Sequence, residues 1–273
     1  MKYLILGSEG QVGSHLTKFL EKEGHEVIPW DILNCLSEDL RDQTNNILLR
    51  SAMEECDFVF FLAFDVGGSR YLNQYQHTYD FMYNNMAIMN NTFKILNETK
   101  KPFIFTSTQM SKMDFSPYGK QKQIGEEYTK LLNGVVVSLW NVYGVEKDAE
   151  KSHVITDFIK KAKTGKIDMY TDGQESRDLL HADDCSRALK ILSDNHDELD
   201  RDEDLHIYYG EWTKIIDVAR MVQDIIPCEI EPSERKDTVQ NSVKIPQSDY
   251  IRNFWKPEIP LREGIKDMCD AYS

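Results

Sequence analysis

Lys2-Tyr3-Leu4-Ile5-Leu6-Gly7-Ser8-Glu9-Gly10-Gln11-Val12-Gly13, residues 2–13, sets a short apolar strand directly against three glycines spaced three apart. Beyond the glycines, Val12, Leu16, Phe19 and Leu20 recur at helical spacing, so the segment reads as strand, tight turn and helix. Gly7, Gly10 and Gly13 let the backbone turn without a Cβ in the way and bring N–H groups at a helix start against a phosphate. Gln11 and Val12 open that helix and belong to the same candidate cradle. A second strand, Glu26–Trp30, ends in Asp31, about 20 residues past the turn, where an acidic side chain can accept hydrogen bonds from a ribose. No arginine or lysine adjoins Asp31 to neutralise the extra phosphate of NADP, so the expected cofactor is NAD. Capping of the segment that follows is the competing use of Asp31.

Outward from this unit, strands and helices alternate. The pattern predicts a helix near 43–55, a buried strand at 57–63 (DFVFFLA), a long helix near 78–99, a strand at 102–106, a helix at about 118–132 and a strand at 135–140 (VVVSLW). That rhythm predicts an α/β fold with a doubly wound parallel sheet. After residue 145 it changes to a helix at 152–164, a short strand at 168–170 and helices at 183–193 and 212–226 before a proline-punctuated tail. Residues 1–150 are expected to form the nucleotide-binding domain, with part of the C-terminal half returning to it. Residues 151–273 are expected to form mainly a smaller substrate-binding lobe.

The 273 residues are 41% hydrophobic and 29% charged, and no apolar run approaches the roughly 20 residues that span a bilayer. The apolar start is too short for a signal peptide and leads into a turn rather than a cleavage site, so a cytoplasmic protein without membrane contact is expected. Five cysteines without a CxxC pair suit reduced thiols, not a disulfide framework or zinc site, and no metal is expected. With 32 basic residues against 46 acidic ones, the net charge of −14 argues against nucleic acid as a partner. The acidic run 194–204 (DNHDELDRDED) reads as a solvated connection between lobes.

Chemistry is concentrated after the fourth strand. Thr106-Ser107-Thr108-Gln109 is followed ten residues past Thr108 by Tyr118, with Lys122 four further on, in SPYGKQKQIGEE (116–127). Residues at i and i+4 share a helix face, where an ammonium can lower a phenol's pKa and a nearby hydroxyl can share a substrate's proton. Tyr118 is therefore the candidate base and Lys122 its partner. The stripe Phe81, Met82, Asn85, Met86, Met89 and Phe93 runs at helical spacing, and its apolar members read as core or dimer face. His153 and His181 read as structural hydrogen-bonders.

With these residues assembled, the chain resembles the extended short-chain dehydrogenase/reductase family, the nucleotide-sugar epimerases and dehydratases with their Rossmann-type sheet. The likeness rests on GSEGQVG, SEDLRD, FLAFDVGG, YxxxK, WNVYG, SRDLLHADD and FWKPEIPLREGIKDM, occurring in the family's order. The resemblance implies Asp39 and Leu40 at the adenine, Ala63 beside the phosphates, and Trp140 and Val142 lining the cofactor site. It implies Tyr118 and Lys122 as the catalytic pair, with Thr108 as the hydroxyl and Ser107 competing for that role. Gly68 and Ser69 would lie near the sugar, and Asn141, Arg177 and Arg235 near the diphosphate, an arginine fork being suited to phosphate oxygens. Ion pairing is the competing use of both arginines.

Residues 61–91 look like the corresponding segment of GDP-mannose 3,5-epimerases and GDP-fucose synthases, which slightly favours a GDP-sugar. Those enzymes carry an acid/base cysteine where this chain has Gln109, Met110 and Ser111, which argues against 3,5-epimerisation. Gln109 and Met110 likewise stand where dehydratases use an Asp-Glu pair. The expected activity is NAD-dependent oxidation at the sugar C4, as an epimerase or a dehydrogenase. A keto-sugar reductase and a non-catalytic NAD-binding protein are the alternatives. Enzymes of this kind commonly dimerise through the long helix and the YxxxK helix, so a homodimer is expected.

Overall fold

Strand β1 (Lys2–Leu6) is buried from Tyr3 onward because the parallel sheet around it is covered on both faces. The computed structural model describes residues 1–240 and 247–272. Helix α1 (Gln11–Lys22) lays Leu16 and Leu20 on the sheet and leads to β2 (Glu26–Trp30), which pairs in parallel with β1. Helix α2 (Asn46–Glu55) crosses to β3 (Phe58–Phe61), paired with the opposite edge of β1. Helices α3 (Ser69–Tyr75) and α4 (Tyr79–Thr99), strand β4 (Phe103–Thr108), helix α5 (Pro117–Leu131) and strand β5 (Val135–Leu139) continue the alternation.

The chain then builds a second group of elements and returns once to the first. Strand β6 (Asn141–Tyr143), helix α6 (Val154–Ala162), strand β7 (Lys166–Asp168) and strand β8 (Ser176–His181) precede helix α7 (Ala182–Asp194) and strand β9 (Leu205–Ile207). Strand β10 (Trp212–Lys214), helix α8 (Ile215–Gln223), strand β11 (Glu229–Glu231) and helix α9 (Leu261–Ala271) follow. The large sheet has the order β2-β1-β3-β4-β5-β9 with every pairing parallel, and two small sheets run β10-β8-β6 and β11-β7. The fold is thus the expected doubly wound α/β sheet, with a smaller group of C-terminal elements beside it.

Three of the four apolar clusters among the described residues correspond to these layers, and the fourth gathers Leu72, Phe81, Met110, Met113 and Tyr118. Leu16, Leu20, Phe60, Leu189 and Leu192 fill one face of the large sheet, and Met53, Phe61, Met89, Phe93 and Phe105 fill the other. Ile159, Val218, Ile265 and Met268 form a third core under α6, α8 and α9. Phe81, Asn85, Met89 and Phe93 of the predicted stripe are therefore core, and only Met82 of that stripe lies more than a third exposed.

Several local expectations are corrected. The helix expected at 212–226 begins at Ile215, because Trp212–Lys214 pair antiparallel with β8. The strand expected at 168–170 runs 166–168, and α6 is shorter than the expected 152–164. Strand β4 extends through Ser107 and Thr108, which therefore belong to the strand and not to the loop after it. The acidic run 194–204 does not connect lobes: it joins α7, packed on α1, to β9 in the large sheet. Short elements α3, β6, β8 and β9 carry too few residues for a periodicity to register.

Candidate active site

The strand order reverses between β1 and β3, and outside the C-terminal ends of such strands an open α/β sheet leaves a crevice. A cavity of about 520 Å³ occupies that place, and every residue named above as a candidate except Arg235 lines it.

The glycine turn forms its floor. Gly7 has φ +89°, a conformation L side chains rarely adopt, and a Cβ there would come within 2.8 Å of the Ala63 backbone. A Cβ on Gly13 would run into the Gly7 carbonyl oxygen, so the helix can approach the turn only without one. Helix α1 starts with no side-chain cap and no acidic residue in its first turn, and the buried Gln11 Nε2 has no partner among the described residues. Unpaired donors at a helix N-terminus suit an anionic pyrophosphate, so these residues fit a dinucleotide.

Asp31 stands beside this turn, and its two carboxylate oxygens accept the backbone N–H groups of Glu9 and Leu33, each at 3.0 Å. It therefore does cap the following segment, while still facing the cavity. Glu38 accepts the Asp31 N–H at 2.8 Å. Arg41, the first arginine or lysine after Asp31, is held on Asp39 by Nε and Nη2, both at 2.8 Å. That hydrogen-bonded guanidinium holds the Asp39 carboxyl below its ordinary range. Leu40 is buried, its carbonyl accepting from Asn91 Nδ2. Val12, Val142 and Trp140 close the apolar side, the Trp140 ring meeting Trp212 edge to face at 5.6 Å.

The end of β4 and the start of α5 bring the reactive groups together. Ser116 caps α5 by accepting the Gly119 N–H at 3.0 Å, and Pro117 occupies the first helical position. Tyr118 is buried, and of the groups around it only the Thr108 hydroxyl favours its ionised form. Ser107 faces away from that pair and donates to the buried Glu126 carboxylate. The geometry thus separates the two hydroxyls that the sequence left in competition. Lys122 Nζ donates to the Thr106 carbonyl at 2.6 Å and lies over the rings of Phe64 and Phe105, 4.0 and 4.8 Å from their centroids.

One electrostatic expectation is reversed. Lys122 was expected to draw the Tyr118 pKa down, but burial of the ring pushes it up and only the Thr108 hydroxyl opposes that. Burial also drives Lys122 down to about 7, against the charge of Glu126, so the cation that would act on Tyr118 is itself partly discharged near neutral pH.

On the far side of the cavity, Asn141 donates to the Asp178 carbonyl and accepts from Gln240 Nε2 at 2.9 Å. Arg177 is almost fully buried and paired with Asp237, which also accepts the Val239 and Gln240 N–H groups. Gly68 precedes α3 and approaches the Ser152 carbonyl so closely that a Cβ would reach 2.5 Å, with Ser69 next to it. Arg235 does not reach the cavity: its guanidinium lies over the Tyr170 ring, 5.4 Å from the centroid, in a separate shallow depression.

Sequence reasoning missed Phe64, Asp65, Glu146 and Gln240 in the lining. Phe64 covers Lys122 and meets Tyr118 at 5.6 Å. Asp65 accepts from Tyr71 at 2.7 Å and from Lys151 at 2.9 Å; burial would raise it, but those bonds and the lysine charge hold it below its usual range. Glu146 and His153 form an ion pair; burial opposes the charged form of each, yet mutual attraction pulls Glu146 down and His153 up. Gln240 bridges Asn141 and Gln109. Their partners lie up to 131 positions away in the chain, so no local pattern announces them. His181 accepts the Asp183 N–H and caps α7, as a structural hydrogen-bonder would.

With this geometry in hand, the relatives are informative. The family model described as "NAD dependent epimerase/dehydratase family" matches residues 3–208. A GDP-mannose 3,5-epimerase of Arabidopsis thaliana is 25% identical over an alignment of 314 residues, covering 97% of this chain and 80% of the other. Among solved structures, a GDP-6-OMe-4-keto-L-xylo-heptose reductase from C. jejuni superposes with a TM-score of 0.85 at 20% identity, covering 99% of this chain and 97% of its own. A UDP-glucose 4-epimerase from Thermotoga maritima gives 0.78 at 21% identity, covering 100% and 98%. Those two likenesses are of fold. The family match spans the glycine turn, the Tyr118 pair and the Arg177 strand, and on that ground the chain belongs to the NAD dependent epimerase/dehydratase family.

Proposed function

We propose that this protein is an NAD-dependent enzyme of nucleotide sugars, acting at the sugar C4 through a keto-sugar. The observation that carries the reading is that Thr108, Tyr118 and Lys122 line the same cavity as the glycine turn of α1. NAD, when bound, supplies the hydride acceptor. Tyr118 takes the proton of the C4 hydroxyl, Thr108 shares that proton, and Lys122, one helical turn on, would hold the nicotinamide ribose. The glycine turn, Gln11, Val12 and Ala63 hold the pyrophosphate side. Asp31, Asp39 and Leu40 hold the adenosine side, and Trp140 and Val142 wall the cleft. Asp31 and Glu38, with Arg41 already bound to Asp39, disfavour a further phosphate on the ribose and so favour NAD over NADP.

The elements around β6, β8 and α6 serve as the substrate lobe. Asn141 and Arg177 face the diphosphate, and Gly68 and Ser69 face the sugar. A GDP-sugar is slightly favoured, by the segment 61–91 and by relatives named for GDP-sugars. No cysteine lines the cavity among the described residues, which supports C4 chemistry over 3,5-epimerisation. A homodimer through α4 and α5 is supported by Tyr79, Tyr83, Tyr128 and Leu131, apolar rings and chains left exposed on those helices.

The test incubates purified protein and NAD with a panel of UDP-, GDP- and dTDP-sugars and follows products by mass and NMR. A C4 epimer or a 4-keto sugar is the expected product. Turnover surviving Tyr118→Phe would sink the mechanism. One observation favours a second reading, reduction of a keto-sugar: the buried Tyr118 phenol keeps its proton, which suits a proton donor. The same panel, supplied as 4-keto sugars with NADH, separates the two.

A further inference from the structure

Glu126 lies four residues beyond Lys122 and eight beyond Tyr118, so the three share one face of α5. It is buried, and a buried carboxylate is costly unless paired or hydrogen-bonded. Its Oε1 accepts the Ser107 hydroxyl, which ties the carboxylate to β4 on the strand that carries Thr108. Neither Ser107 nor Glu126 has a part in the proton transfer at Tyr118, yet the pair is built into the wall behind it.

We propose that Glu126 is a positioning residue of this site: a buried carboxylate, anchored by Ser107 and one turn beyond Lys122 on the same helix face, that holds the proton on Lys122 through space rather than by direct contact. The inference rests on the reading of Lys122 as the ammonium partner of Tyr118. Lys122 needs such a partner because its surroundings are hostile to charge. The rings of Phe64 and Phe105 cover it, and its one hydrogen bond among the described residues runs to the neutral Thr106 carbonyl. Burial drives it down to about 7, and Glu126 is the charge that opposes this. Of the other ionisable groups around the pair, Tyr118 is neutral, and His206 of β9 is held below its usual value by burial, with Asp204 opposing that effect, Lys112 adding to it and Glu126 opposing it.

The test reads Lys122 directly. Lysine-labelled protein without cofactor or substrate is titrated by NMR, the Lys122 signal being assigned by its loss in Lys122→Met. In Glu126→Gln, which keeps the shape and the Ser107 bond, the Lys122 midpoint is expected to fall by about one unit. Activity should then fall about tenfold at pH 8 but only about twofold at pH 6, the ratio expected when that midpoint moves from about 7 to about 6. Glu126→Asp should restore part of the shift, and Ser107→Ala, which frees the carboxylate, should show a smaller fall. An unmoved or raised midpoint in Glu126→Gln overturns the proposal. A fallen midpoint with no turnover of any nucleotide sugar would leave it standing and reject the substrate reading.

Discussion

The Phe64 ring packs against both members of the Tyr118–Lys122 pair: Lys122 Nζ lies 4.0 Å from its centroid, and Tyr118 meets it edge to face at 5.6 Å. One residue past Ala63, on the loop after β3, this ring shares with Phe105 the covering of the ammonium. Removing it with Phe64→Ala should raise the Lys122 midpoint from about 7 by on the order of one unit, because relief of desolvation outweighs the lost cation–π contact. The half-buried ring should also cost about 1–2 kcal/mol of stability when deleted. NMR titration and chemical denaturation measure the two effects; a midpoint that falls would assign Phe64 to charge stabilisation instead.

Lys122 also makes a stability prediction with a definite sign. Its folded value of about 7 lies below the ordinary 10.5, so between these the unfolded chain binds more protons than the folded one. Stability therefore rises with pH across that window, as far as Lys122 is concerned, and the penalty is full below pH 7. Lys122→Met removes the buried charge and should stabilise the protein at pH 6–7 by on the order of 1 kcal/mol while abolishing turnover. A Tm for the variant below that of the parent at pH 6.5 would contradict this.

The two hydroxyls at the end of β4 should separate in kinetics. Tyr118→Phe should lower turnover about a hundredfold to ten-thousandfold with nucleotide binding retained. Thr108→Ala should lower kcat by about tenfold or more at any pH, since its partner is Tyr118 itself. Ser107→Ala should act mostly at alkaline pH, through Glu126. Equal losses with identical pH profiles would restore Ser107 as an alternative catalytic hydroxyl.

Gly13→Ala tests the cradle. Its Cβ would meet the Gly7 carbonyl oxygen, a backbone atom that cannot swing aside. The variant should lose about 1–3 kcal/mol or more and show no Tm rise on adding NAD. Gly24→Ala has open space around it but a φ of +80°, so it should lose stability while keeping its response to NAD.

Cofactor choice follows from charge at the adenosine end. NAD should bind at least about tenfold more tightly than NADP, since each 1.4 kcal/mol of unfavourable charge contact is a factor of ten. Asp31→Asn should narrow the gap, mostly by weakening NAD, because the amide keeps only part of the acceptor capacity of the carboxylate. Calorimetric titration with both dinucleotides checks it.

The glycine spacing, the apolar run before it and the alternation of strands with helices were enough to read the parallel sheet and the cofactor turn. Those signals are local: a strand, a turn and a helix face each declare themselves within about 15 residues. Tyr118 and Lys122 were legible for the same reason, being one turn apart on one helix. The tertiary structure decided what distant residues do to one another. It assigned Thr108 to Tyr118 and Ser107 to Glu126, because successive residues of a strand face opposite sides. It placed Arg177 on Asp237, 60 positions away, and left Arg235 outside the cavity. It also reversed the expected tuning of the phenol, since desolvation depends on everything packed around a group, and the two rings over Lys122 come from the loop after β3 (Phe64) and the middle of β4 (Phe105).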